Sequence, residues 1–178
     1  MPSIKKKFNK IQITMINNAA SMAEELVSDY YKMSVNQWLC PKYDIRTLAD
    51  LLSGEISEDS FAQIIRYKGQ KNGSSLESSS YDYYKICFQD HVILSLLERS
   101  PEINFFSFIL YIITHELIHI VRFGKFLQSF DASSEDRLTE EVRVHELTRK
   151  ILSGVNLPGL RDVLEFYEQY GSFFDKTI

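Results

Sequence analysis

The chain has 178 residues, of which 44% are hydrophobic and 25% are charged, and its formal net charge at pH 7 is −4. This length suits one hydrophobic core, so we expect a single domain over residues 1–178. The weakly acidic balance argues against a nucleic-acid partner. Two cysteines without a paired spacing, Cys40 and Cys87, argue against a disulfide framework and favour a reducing compartment, with both thiols buried.

Export and membrane insertion are also disfavoured. The basic run at residues 5–7 is followed by residues 11–18, which are too polar for the apolar region of a signal peptide. The longest apolar run, residues 105–113, is too short to span a membrane. We therefore expect a cytoplasmic protein with no membrane partner.

The N-terminal part of the chain is predicted to be helical. Apolar residues recur at three- and four-residue steps from residue 8 to about residue 33, which indicates an amphipathic helix. Shorter helices are predicted at about 45–52 and 59–67. Together these elements predict a helical layer over about residues 8–67. The layer contains no histidine, so we expect it to pack over a site built by the second half of the chain.

The middle of the chain contains a predicted loop, strand and helix. Residues 68–80 are rich in Gly, Ser and Asn, which predicts a mobile loop, either a lid or an ordinary connection. Residues 81–88 alternate aromatic and β-branched side chains and form the best strand candidate. A helix is predicted at 92–99. His91 precedes it, and we expect this side chain to make a local hydrogen bond.

Residues 114–119 read Thr-His-Glu-Leu-Ile-His and lie in the most apolar segment, a predicted helix from about residue 104 to 122. His115 and His119 are four residues apart, so their ring nitrogens can reach the same point. Two imidazoles at this spacing supply half of a tetrahedral zinc site. Glu116 lies about 100° further round the helix and can reach a metal-bound water as a general base.

An alternative interpretation applies to the same residues, because the motif also arises by chance. The surrounding helix is apolar on nearly every side, which predicts burial. Buried polar side chains are stable only when they are paired or bound to a metal. His115 and His119 are then either metal ligands or core histidines held by hydrogen bonds, with Glu116 at a helix surface.

A second helix, predicted at 134–152, offers candidates for a third ligand. Its apolar residues at positions 144, 147 and 151 define the core side. At 100° per residue, Glu140 falls near the middle of this face and Glu141 just beyond its edge. We expect Glu141 to be the third ligand, with Glu140 and then His145 as alternates. Glu141 and His145 are four residues apart, so one of them can bind the metal while the other orients a ligand from behind. In the other interpretation, both glutamates form a solvated charged face.

Residues 114–119 resemble the active-site helix of the zincin metallopeptidases. The downstream Glu140 and Glu141 resemble the gluzincin branch, in which a glutamate on a later helix is the third zinc ligand. The likeness covers about residues 80–152. The metzincin extension is absent, because Arg122 and Lys125 stand where a glycine and a histidine are expected. The resemblance implies Zn²⁺ as cofactor and a peptide or protein substrate. The strand at 81–88 is then either an exposed edge that pairs with the substrate or one strand of a small hairpin.

A final helix is predicted at 160–170. Tyr167 or Tyr170 within it can donate a hydrogen bond to an oxyanion or can belong to an aromatic core stripe. The predicted elements give a mainly α fold with a small β element (α+β). The function we expect is a zinc-dependent hydrolase, a small intracellular metallopeptidase. The alternative is a zincin-like binding or regulatory module with a structural or inactive metal site. A di-iron bundle needs a second Glu-x-x-His element, and the sequence has none.

Overall fold

A computed structural model of the chain describes residues 3–34, 36–37, 42–70 and 80–174, which form five α-helices and one three-stranded sheet. The helices are α1 (Lys10–Tyr31), α2 (Asp90–Arg99), α3 (Phe105–Gly124), α4 (Ser134–Leu152) and α5 (Leu160–Phe174). The strands are β1 (Lys42–Arg46), β2 (Ala62–Gln70) and β3 (Ser80–Phe88). The predicted mainly α fold with a small β element is confirmed.

Helix α3 is the centre of the fold. Asn104 caps its start by accepting a hydrogen bond from the backbone N–H of Ser107 at 3.1 Å, and every residue from 107 to 123 is buried. Helices α1, α4 and α5 pack against it. By length and composition α3 is long enough to cross a membrane, but 89% of its most apolar stretch is buried inside the fold, as in the core helix of a globular protein. The apolar run at 105–113 is too short to span a membrane, but the whole helix, with 20 residues, is longer than this run.

The sheet covers one side of α3. Strand β3 is central, parallel to β1 and antiparallel to β2. Alternate residues of β3 are buried, and the ring of Tyr84 stacks on that of Phe123 of α3 with centroids 5.6 Å apart. The expectation that residues 81–88 form an exposed edge for substrate pairing is wrong. Both edges of β3 are already hydrogen-bonded, so the outer strands of the sheet are β1 and β2.

The expected helical layer over residues 8–67 also needs correction. Among the described residues of this range, only α1 is an α-helix. The helices predicted at 45–52 and 59–67 are replaced by short 3-10 turns and by strands β1 and β2. Cross-strand packing explains the difference: Ile64 lies opposite Ile86 and Ala62 opposite Phe88, all in the core. Residues 71–79 of the predicted mobile loop lie outside the described residues, as does Cys40.

The remaining predicted helices are confirmed within a few residues, and α5 continues to Phe174. His91 makes a hydrogen bond, as expected, with its Nε2 atom 3.0 Å from the Glu58 carboxylate. Cys87 is a buried free thiol, and burial raises its pKa to about 12, so it is unreactive at neutral pH. The helical half of the chain therefore follows from its sequence pattern, and it contains the residues of chemical interest.

Candidate metal centre

Two histidines of α3 face the same point, as their spacing predicts. His115 is 2% exposed and His119 is fully buried, and their Nε2 atoms lie 3.2 Å apart. The ring centroids are 4.8 Å apart. Both imidazoles are on the side of α3 that packs against α4, so the partner that they need comes from α4.

That partner is the carboxylate of Glu141, which is 8% exposed. Its Oε1 atom lies 3.0 Å from Nε2 of His119, and its Oε2 atom lies 3.2 Å from Nε2 of His115. A tetrahedral zinc ion with bonds of about 2.0–2.2 Å separates its donor atoms by about 3.3–3.6 Å. The observed separations of 3.0–3.2 Å are close to these values. We call His115, His119 and Glu141 the His-His-Glu cluster.

The electrostatics of the cluster favour a cation. Burial by itself would raise the pKa of Glu141, but its hydrogen bonds to both imidazoles hold that pKa far below its usual range. Burial would lower the pKa of His119, but Glu141, with a smaller contribution from Glu116, raises it to about 9. The buried carboxylate therefore retains its negative charge and needs a positive partner. A proton on an imidazole serves this purpose, and a divalent ion that replaces the proton satisfies all three side chains.

Glu116 is adjacent to the cluster and is buried, with 6% of its surface exposed. Its negative charge contributes to the raised pKa of His119. The alternative with Glu116 at a helix surface is therefore not what the structure shows. Its role as general base stays a prediction.

Gln128 is a member of the site that the sequence analysis did not identify. Its Oε1 atom lies 3.0 Å from Nδ1 of His119, so this ring N–H donates to the amide oxygen and Nε2 faces the cluster. The chain reaches this point because it reverses after α3. Phe126 has a left-handed φ of 55°, and the N–H of Leu127 bonds to the Arg122 carbonyl at 2.9 Å. No local pattern in the sequence marks such a position.

Glu140, the first alternate for the third ligand, is held elsewhere. Its carboxylate accepts hydrogen bonds from Arg122 of α3 and, at 3.1 Å, from Arg143. Glu140 is 6% exposed and Arg122 is 8% exposed, so this ion pair is buried. The alternative in which both glutamates form a solvated face does not describe the structure, because both carboxylates are buried and face partners on α3.

His145, the second alternate, lies one turn beyond Glu141. Its Nδ1 atom is 2.6 Å from the hydroxyl of Tyr111, and its ring centroid is 4.4 Å from that of His115. Ligand atoms of His115, Glu141 and His145 lie within 4.8 Å of one another. A second possible donor set therefore shares two residues with the His-His-Glu cluster.

Of the two predicted oxyanion donors, Tyr167 has a described side chain. Tyr167 is 7% exposed, and its ring stacks on Tyr111 with centroids 3.8 Å apart, close to His145. The side chain of Tyr170 lies outside the described residues.

Comparisons of the chain with protein-family models, curated proteins and solved structures give no significant match. Function is therefore argued from the donor atoms and their surroundings.

Proposed function

We propose that the chain is a zinc-dependent hydrolase, a small metallopeptidase. In this proposal His115, His119 and Glu141 hold the ion and Glu116 is the general base. The observation that supports it best is the convergence of two imidazole nitrogens and one carboxylate at 3.0–3.2 Å. Two histidines and a glutamate are a ligand set of catalytic zinc sites, which keep a fourth position for water or substrate.

The proposed roles follow from the chemistry of each group. His115, His119 and Glu141 would hold the zinc ion, which would supply activation of a water molecule and polarisation of a carbonyl group. Glu116 accepts the proton of the attacking water and returns it to the leaving amine. Gln128 holds the His119 ring in the orientation that directs Nε2 toward the cluster. His115, Glu116, His119 and Glu141 are buried, which limits the access of bulk water to the proposed site.

The test combines metal content with peptide hydrolysis. Elemental analysis of the purified protein is expected to find close to one zinc per chain, and mass spectrometry of a defined peptide mixture is expected to find cleavage. Glu116→Gln should keep the zinc and lose about 10²–10⁴-fold in rate, because only the general base is removed. His119→Ala should lose both. Glu102→Gln, an exposed carboxyl outside the site, is the matched control and should change neither.

Two results would contradict the proposal. The first is a protein that neither contains zinc nor takes it up. The second is hydrolysis that survives Glu116→Gln at the wild-type rate, which would show that this carboxylate is not the base.

A second candidate function is favoured by one observation, the complete burial of His119. Structural metal sites are closed, whereas catalytic sites keep an open position. A zincin-like binding or regulatory module with a structural ion would therefore also use the cluster. Cobalt substitution separates the two candidates. The visible spectrum of the Co²⁺ protein should change when acetohydroxamate is added if a coordination position is open. The spectrum should stay unchanged if the site is closed.

A further inference from the structure

A cavity of about 290 Å³ opens between α4 and α5 beside the cluster. Glu141 and His145 contribute to its lining, so one wall of the cavity belongs to the candidate metal centre. Its volume is at the lower end of ligand sites, which range over about 300–1,000 Å³. The size suits one large side chain with its adjoining backbone.

Five of the ten lining residues are apolar or aromatic, and they come from three helices. The stacked rings of Tyr111 and Tyr167 line it from α3 and α5, with an angle of 13° between their planes. From α4 come Leu138 and Val142, which lie one helical turn apart and are 64% and 55% exposed. Large apolar side chains exposed together beside a concave surface are typical of a binding site.

The charged groups of the lining favour an uncharged occupant. Arg149 of α4 and Glu168 of α5 form an ion pair at 3.0 Å that joins the two helices, and both side chains are about half exposed. Their opposite charges compensate each other, and the exposed Glu146 of α4 adds a negative charge to the lining that disfavours an acidic occupant. Transfer of an aromatic or branched aliphatic side chain from water to the wall formed by the two tyrosines, Leu138 and Val142 is favourable, whereas burial of a charged side chain there is costly.

We infer that this cavity binds a bulky apolar side chain of the substrate, aromatic or leucine-like, next to the bond that is cleaved. The inference rests on the proposed function, because the cavity is placed beside the reacting bond only if Glu141 holds the metal. The substrate class is then a peptide with a large apolar residue at one defined position. Replacement of that residue by alanine should lower kcat/KM by about 10–100-fold.

The first part of the test uses substrates. Peptides that are identical except for Phe, Leu, Ala or Asp at each position flanking the cleaved bond are compared by kcat/KM. The double variant Leu138→Ser/Val142→Ser should reduce the Phe-to-Ala ratio to within about threefold of one and leave the zinc content unchanged. The control Ile11→Ser removes an apolar side chain that is 74% exposed on α1, and it should keep the wild-type ratio.

The second part does not depend on turnover. N-acetyl-phenylalaninamide is titrated into zinc-loaded Glu116→Gln protein and followed by NMR. Shifts are expected at Val142, Leu164 and Tyr167, with smaller or no shifts for N-acetyl-alaninamide and none in the double serine variant. If no peptide is cleaved but these shifts occur, the proposed function fails while the cavity is still an apolar binding site.

Other outcomes overturn the inference while the proposed function stands. One is peptide hydrolysis with no preference for an apolar residue and no shifts with the phenylalanine probe. Another is sedimentation that shows a dimer for the wild type and a monomer for the double serine variant, together with no binding of the probe to the wild-type dimer. In that case a second copy of the chain covers Leu138 and Val142.

Discussion

Glu140 and Glu141 are neighbours on α4, and their carboxylates bind different parts of α3. Glu140 is paired with Arg122, whereas the carboxylate oxygens of Glu141 lie 3.0 and 3.2 Å from imidazole nitrogens of the cluster. Successive residues of a helix are separated by about 100°, so one turn of α4 can supply both contacts. The Arg122–Glu140 pair and the contacts of Glu141 therefore join α4 to α3 at two separate points.

The two glutamates should therefore respond differently to the same substitution. Glu141→Gln is expected to lower zinc affinity by at least about 100-fold, because it removes a charged ligand. Glu140→Gln should keep zinc but lower the free energy of unfolding by about 3–5 kcal/mol, because Arg122 stays buried without its carboxylate. Zinc titration against a chelator and urea unfolding measure the two quantities. The opposite pattern would identify Glu140 as the ligand.

The same contrast shows how far the sequence predicts this protein. Helices α3 and α4 were predictable because their apolar periods and caps are local signals. Glu141 was the first of three candidates for the third ligand. The sequence does not exclude the other two, since helical projection does not say which carboxylate meets an arginine. Strand β2 was not predictable, because it is stabilised by pairing with β3, and this non-local contact leaves no signal in the sequence of β2 itself. The contact from Gln128 to His119 depends in the same way on the path of a loop.

Gln128→Leu should weaken metal binding without abolishing it. The substitution removes the acceptor 3.0 Å from Nδ1 of His119, so the ring loses the bond that fixes its orientation. Loss of such a supporting contact lowers metal affinity by about 10–100-fold. Competitive zinc titration measures the change, and Gln128→Glu, which retains an acceptor, should keep tight binding. Equal zinc affinity in wild type and Gln128→Leu would show that the contact does not support the ligand.

The acid stability of the fold should depend on Glu55, a buried residue in the segment of the chain that connects β1 to β2. Its carboxylate accepts hydrogen bonds from Lys85 at 2.7 Å and from Tyr67 at 2.5 Å. Burial would raise the pKa of Glu55, but these bonds bring it down from 4.5 to about 2. Because the folded pKa lies below the unfolded one, the stabilisation is present above pH 4.5 and is lost as the pH falls toward 2.

The measurement is urea unfolding at several pH values between 5 and 2. In this window Glu55 should contribute a decrease of at most about 1.4 kcal/mol per pH unit to the free energy of unfolding. Glu55→Gln should be less stable at neutral pH and should show a shallower acid dependence. Glu25→Gln removes an exposed carboxyl of α1 and should keep the wild-type slope. A slope that Glu55→Gln leaves unchanged would show that another group causes the acid loss.

The last prediction concerns which histidines hold the ion. His119 and His145 both lie near His115 and Glu141, but their contacts differ. Nε2 of His119 is 3.0 Å from the Glu141 carboxylate, whereas the donor set that includes His145 extends over 4.8 Å. Nδ1 of His145 is also 2.6 Å from the hydroxyl of Tyr111. We therefore expect His145→Ala to keep close to one zinc per chain and His119→Ala to lose it.

Stability separates a ligand role for His145 from a packing role. His145→Ala removes the hydrogen bond with Tyr111 and should lower the free energy of unfolding of the metal-free protein by about 1–3 kcal/mol. Tyr111→Phe removes the same hydrogen bond but keeps the ring stacked on Tyr167, so it should reproduce about 1 kcal/mol of that loss and retain zinc. Zinc that is lost from His145→Ala but retained by Tyr111→Phe and His119→Ala would place the ion between His115, Glu141 and His145. In that geometry His119 would be a core histidine held by Gln128.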